Sequence, residues 1–228
     1  ARWIWTASRP ADNQAYCRYV IPEAGTAWHV STYRAHVGPG EDAADATSYY
    51  CGPRSSYGEL DGGDYEDRRA DMLQTPPFAI PAGGSDARLG FRARWDVEDP
   101  CGSQNYGYTP ADCKRIIGCN PSAWDAAAVF VLDTDAAAPR WERLTVDGDG
   151  RGGQTDGKYP LHNSYGAMVN GLAENGTCGE LWWGGASATD ANPSGWRMLS
   201  ASLAAWAGRT VRVGWLIVSD EYVSKDGM

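Results

Sequence analysis

Six cysteines, three histidines and one run of alternating aspartate and glycine are the side chains of this 228-residue sequence whose chemistry goes beyond packing. Cys17, Cys51, Cys101, Cys113, Cys119 and Cys178 form an even set with no C-x-x-C pair and few histidines to share a metal with. That pattern supports neither a zinc ribbon nor a thioredoxin-type redox pair. Three disulfides are the better reading, with their connectivity left open. They imply an oxidising compartment, so the protein is expected to be secreted, periplasmic or held at a cell surface. The sequence begins at Ala1 with no initiator methionine and no charged apolar leader, as expected once a signal peptide has been removed.

The histidines give little support for catalysis. His29, His36 and His162 lie far apart, and the sequence contains neither the G-x-S-x-G elbow of a serine hydrolase nor the H-E-x-x-H helix of a zinc peptidase. His29 sits in a strand-like segment and reads as a structural side chain. A glycosidase or polysaccharide lyase needs only two carboxylates, or a tyrosine and a histidine, in one cleft, so a carbohydrate-active enzyme is the alternative to a module without chemistry. The loop Asp147-Gly148-Asp149-Gly150-Arg151 has the alternation that can wrap a calcium ion, but it lacks the closing bidentate glutamate of an EF-hand. A hairpin loop is the simpler reading.

Aromatic composition points to binding. Eleven Trp and twelve Tyr stand against three Phe, and both favoured types join a large apolar body to a polar tip that tolerates water. Trp182, Trp183, Tyr159 and Tyr165, with Tyr106, fall in or beside the longest loop-like stretches. Adjacent strand residues point to opposite faces, so at most one of Trp182 and Trp183 can be core in a sandwich. An exposed ring there would stack on a sugar or anchor a protein partner. The competing reading is a loop packed over a sheet edge. A net charge of -9 disfavours nucleic acid and anionic lipid. The longest apolar run, residues 126–132, falls far short of the roughly 20 residues a membrane helix needs.

The elements that would position these residues are strands. In residues 88–95, Leu89, Phe91, Ala93 and Trp95 alternate with Arg88, Gly90, Arg92 and Arg94, the period of a half-buried strand. Residues 210–219 repeat it with Val211, Val213, Trp215 and Ile217. Shorter candidates lie at 27–31, 48–51, 77–80, 127–133, 141–146, 180–183 and 195–199, separated by Gly, Pro, Asn and Asp clusters. One short helix is predicted over 199–208, from the spacing of Leu203 and Trp206 before Gly208. Residues 58–71, 99–125 and 147–172 read as loops, the middle one stapled by three cysteines. Nothing divides the chain, so residues 1–228 are expected to form one all-β domain.

The segments Trp28-His29-Val30-Ser31, Ser48-Tyr49-Tyr50-Cys51-Gly52, Leu73-Gln74-Thr75-Pro76-Pro77-Phe78, Trp95-Asp96-Val97-Glu98 and Val129-Phe130-Val131-Leu132-Asp133 form a series with the tail from Gly195-Trp196 to Ser219-Asp220. In order and spacing the series resembles the jelly-roll domains of immune inhibitor A type secreted metallopeptidases and bacterial cell-surface proteins, themselves similar to MAM domains. The resemblance implies an antiparallel β-sandwich of two sheets. It also implies a structural calcium ion held by carboxylates that match Asp96, Glu98 and Asp220. A glycan, another extracellular protein or a larger surface assembly would be the partner.

Overall fold

The computed structural model describes residues 6–8, 28–37, 42, 46–51, 70–84, 86–97, 125–147, 158–159, 182–183, 186–188, 192–219 and 228. Among them the regular structure is strand: β1 (Thr6–Ser8), β2 (Trp28–Ser31), β3 (Ser48–Cys51), β4 (Ala70–Gln74), β5 (Phe78–Ala79), β6 (Arg88–Ala93), β7 (Ala126–Asp133), β8 (Trp141–Arg143), β9 (Val146–Asp147), β10 (Lys158–Tyr159), β11 (Trp182–Trp183), β12 (Arg197–Ser202) and β13 (Thr210–Val218). Every pairing is antiparallel. The protein is all-β, as its alternating sequence implies. No helix among the described residues is long and apolar enough to cross a membrane.

The largest sheet runs β1-β4-β13-β7-β11-β10, with β5 continuing the β4 edge of β13 and β8 pairing with β7. At its centre β13 and β7 pair without interruption from Val211 opposite Asp133 to Val218 opposite Ala126. From Val213 onward every residue of β13 is buried, as is β7 from Ala127 to Val131. Strands covered on both faces read as continuous apolar runs rather than as alternation, which is why Trp215-Leu216-Ile217-Val218 and Val129-Phe130-Val131-Leu132 carry no polar residue.

Among the described residues two smaller sheets accompany it, β6-β12-β9 and β2-β3. The inward residues of the large sheet, among them Val129, Val131, Val213, Trp215 and Ile217, share one buried cluster with Ala93, Val146, Leu199 and Ala201 of the three-stranded sheet. Full burial of an aliphatic side chain of this size contributes about 1.5–3 kcal/mol, so this shared layer is the main reason the two sheets stay together. Aromatic rings bridge it. Phe91 meets Trp215 edge to face at 5.5 Å, and Trp95 stacks on Trp183 at 5.1 Å.

The helix expected over 199–208 does not form. Residues up to Ser202 belong to β12, and only one 3-10 turn follows, at Ala204–Trp206. Arg197, Leu199 and Ala201 are buried while Met198 and Ser202 are exposed, so period two and pairing with β6 override the weak helical spacing. Two stretches read as loops also contain strand. β4 begins inside 58–71 and β10 lies inside 147–172. In β4, Asp71, Met72 and Leu73 are all buried, so no alternation marks it.

Two glycines show opposite constraints. A Cβ on Gly214 would lie 2.6 Å from the Met72 sulfur and 3.1 Å from the Trp141 ring, whereas one on Gly90 would meet only the Met198 methyl, at 3.8 Å. Gly214→Ala is therefore expected to lower stability by about 1–3 kcal/mol through overpacking. Gly90→Ala is expected to raise it by about 0.5–1 kcal/mol. Urea unfolding of both variants checks the pair. Beyond β7, the Arg209 guanidinium donates to Asp133 at 2.9 Å and the Thr210 amide to Asp135 at 2.6 Å. Burial works against ionisation of the Asp133 carboxyl, but the Arg209 bond and the Asp135 and Ala136 amides outweigh it and hold the carboxyl below its ordinary range. A lowered carboxyl stabilises the fold above its unfolded pKa and loses that contribution as pH falls through the folded value. Asp133→Asn should thus flatten the acid limb of stability against pH, measured by melting temperature.

Candidate binding groove

A groove of about 410 Å³ opens along β6, within the size range of small-ligand sites. One wall is β6 itself, from Leu89 to Arg94, and the other is Thr47, Ser48 and Tyr49 at the start of β3; Leu73, Trp28 and Trp215 form an apolar floor. His36, Trp196, Arg92 and Arg94 add a polar and cationic rim. Leu89 and Phe91 point inward with Ala93, yet they remain only partly buried where Ala93 is 4 % exposed.

The rim is assembled from distant turns. After β2, the chain turns with the Ala35 amide donating to the Thr32 carbonyl, and Arg34 takes a left-handed φ of 49°. Such a conformation costs a residue other than glycine of order 1 kcal/mol. Arg34 lays its guanidinium 5.0 Å from the Tyr33 ring centre, and its carbonyl accepts from the Trp196 indole at 3.0 Å. Trp196 stands edge to face with His36 at 5.6 Å. The Arg92 guanidinium contacts His36 Nε2. Arginine has only donors, so a hydrogen bond between them requires that Nε2 accept.

A turn before β12 sets Trp196. Asn192-Pro193-Ser194-Gly195 closes with the Gly195 amide donating to the Asn192 carbonyl. Gly195 has φ 73°, and a Cβ there would press on Ser187, Ala188 and the Arg94 stem, each within 3.2 Å. The far end of β6 is held by Ser187, whose amide and hydroxyl donate to the Trp95 carbonyl and whose hydroxyl accepts from the Trp95 amide. Arg197 in turn donates twice to the Ser187 carbonyl. Arg94 thereby sits between fixed neighbours. Burial first, and then the Arg34 guanidinium, lower its pKa, while the Asp96 carboxylate acts the other way. The Arg34 guanidinium thus opposes that of Arg94, and the Asp96 carboxylate partly compensates it.

The residues singled out from sequence fall differently. Trp183 is buried in the core against Trp95, so it is a packing residue and not a surface platform. Trp182 and Tyr159 face each other in the β10–β11 pairing, their side chains outside the described residues, as are Tyr165 and Tyr106 altogether. Asp96 is half-buried and bridges Ala186 through its backbone. Glu98 and Asp220 lie outside the described residues, among which no group of three His, Cys, Asp or Glu side chains is placed to hold a metal ion. Cys51 is buried on β3; Cys17, Cys101, Cys113, Cys119 and Cys178 lie outside. His29 pairs with Tyr50 across β2 and β3, and His162 lies outside.

What sequence reasoning missed is the rim. Trp196 and Arg34 are 162 residues apart, and no local motif joins them to Arg92. The one visible signal was the arginine series on β6. Comparison of the chain with protein-family models, curated proteins and solved structures gives no match in any of the three. If the Trp196 indole pins the Arg34 turn, Trp196→Phe keeps the ring and deletes the donor. Amide exchange at residues 33–37 should then speed up by several-fold while melting temperature barely moves, as hydrogen-exchange mass spectrometry would show.

Proposed function

We propose that this protein is a non-catalytic extracellular binding module whose groove along β6 takes an acidic ligand, a glycan or a segment of another protein. The observation that carries it is the combination of an apolar floor with Arg92, Arg94 and the neighbouring Arg34 in a chain of net charge -9. A cationic, partly desolvated groove on an acidic molecule selects for anions through local field rather than total charge. The scaffold for it, on this reading, is a two-sheet sandwich of jelly-roll type, supported by the cluster shared between the eight-stranded and three-stranded sheets. Disulfides among the six cysteines would staple the long loops of a secreted or surface-held protein. A calcium ion would draw on Asp96, Glu98 and Asp220, with hard oxygen ligands preferred.

A polysaccharide lyase is the second reading, because His36 and Tyr49 line the same groove as Arg92. In such an elimination arginine would neutralise a uronate carboxylate while a base removes the C5 proton, the C4–C5 double bond forms and the C4–O glycosidic bond breaks, its oxygen leaving with a proton from an acid. The groove's described lining holds guanidiniums rather than the two carboxylates a glycosidase would need.

Binding of oligogalacturonate and of poly-glutamate, measured by calorimetry at low and high salt, tests the proposal. Affinity for at least one should be salt-sensitive and fall about tenfold or more in the Arg92→Glu, Arg94→Glu variant. Indifference to the variant would overturn it. Appearance of an unsaturated uronate product, followed by ultraviolet absorbance and lost in His36→Ala, would instead establish the lyase. Melting temperature with calcium against chelator tests the metal separately, since an ion bound only by the native state must raise it.

A further inference from the structure

Resting on the binding reading above, we infer that the ligand of this groove is an extended polypeptide segment alternating apolar and acidic residues, added to β6 as a further antiparallel strand. β6 pairs with β12 on one side and with no strand on the other among the described residues. The phase of that pairing is fixed by the Leu203 amide, which donates to the Ala87 carbonyl. Residues 87, 89, 91 and 93 therefore direct their amides and carbonyls to β12, and Arg88, Gly90 and Arg92 direct theirs to the open side. The groove runs along that open side. A row of donors and acceptors at a two-residue repeat matches another strand, and a sugar chain has no such repeat.

The two faces of β6 specify the alternation. A strand laid beside it would put one set of side chains next to Leu89 and Phe91, which are only partly buried over the apolar floor, and the other set next to Arg92 on the exposed face, where Arg88 turns away across β12 to pair with Asp147 at 2.7 Å. Apolar residues suit the first row and carboxylates the second. Gly90 interrupts the arginines with open space, since no atom lies nearer than 3.8 Å to where its Cβ would be. An unexplained glycine inside a strand is a place where another backbone can approach closely. A second copy of this chain is a poor occupant. Antiparallel self-pairing centred on Gly90 sets Arg88 opposite Arg92 at both ends, and like charges directly opposed destabilise a sheet.

The test uses a short capped peptide alternating valine with glutamate, the same peptide with alternate amides N-methylated, one alternating valine with lysine, and oligogalacturonate, each titrated into the full chain. The valine–glutamate peptide should bind, and N-methylation should weaken it by about tenfold or more. The lysine peptide should not bind. Gly90→Pro deletes the central open-side amide without touching a β12 bond, a placement edge strands tolerate, and should weaken the peptide about as much; Arg92→Ala should weaken it less. The N-methylated peptide gives the same answer without altering the protein. Binding of the valine–glutamate peptide that ignores N-methylation would overturn strand addition. Binding of oligogalacturonate alone would overturn it too while leaving the binding module intact, and binding of none would overturn both.

Discussion

The pairing of β13 with β7 is the constraint on which the rest of the molecule depends. Over the half of these strands where both faces are buried, no polar side chain is admitted, and the backbone groups must be satisfied entirely by neighbouring strands. β4 and β5 supply one side of β13, while β8 and β11 supply the far side of β7. Close approach on the outer face is made possible by Gly214, which leaves room for the fully buried Met72. On the inner face Trp215 projects toward Phe91, so the centre of the large sheet decides where β6 lies.

That placement creates the groove. β6 is joined to the core by its inward residues, but Ala93 is buried while Leu89 and Phe91 stay partly open. Burial thus decreases along the strand from the end that Ser187 and Arg197 lock. The chain turns carrying Arg34 and Trp196 close over that locked end, held by one indole bond and the His36 contacts. A rigid sheet positions the floor, and short turns position the charges. Such a division is the usual one for binding sites, because connecting segments tolerate backbone conformations that strands do not.

Most of the strands were legible, either as alternation or as short apolar and aromatic runs between turn signals. Residues 88–95 and 210–219 betray themselves by alternation, and 48–51, 127–133 and 195–199 by β-branched and aromatic enrichment between turn signals. Where both faces are dry, alternation vanishes. β4 was hidden for this reason, with Asp71 buried among apolar neighbours in a place where a carboxylate ordinarily signals solvent. The end of β12 was misread as helix because Leu203 and Trp206 have a helical spacing, which is realised only in the single 3-10 turn that follows Ser202. Of Trp182 and Trp183, strand alternation allowed one to be core. Trp183 fills the layer between sheets, which is the commoner fate of a large ring. Arg34, His36 and Trp196 could not be joined from sequence, since their proximity depends on sheet topology and no spacing rule reaches across 162 residues.

An open strand edge is a hazard that folded proteins normally guard, and charge on the edge is one of the usual guards. On β6 the guard is made of arginine alone, in a molecule whose excess charge is negative. Had protection been the only requirement, aspartate or glutamate would have served equally and would have added to the repulsion between copies that the net charge already provides. Arginine reduces that overall repulsion and concentrates the opposite sign on a single strand. On the strand-addition reading, the same side chains would disfavour pairing with another β6 and favour an acidic segment. Arg88 instead reaches across β12 to Ser200 and to Asp147 of β9, an ion pair at 2.7 Å that turns it away from the open edge, so Arg92 is the guanidinium of β6 that lines the groove. The edge is therefore shielded against strands of the wrong sign and left available to those of the right one.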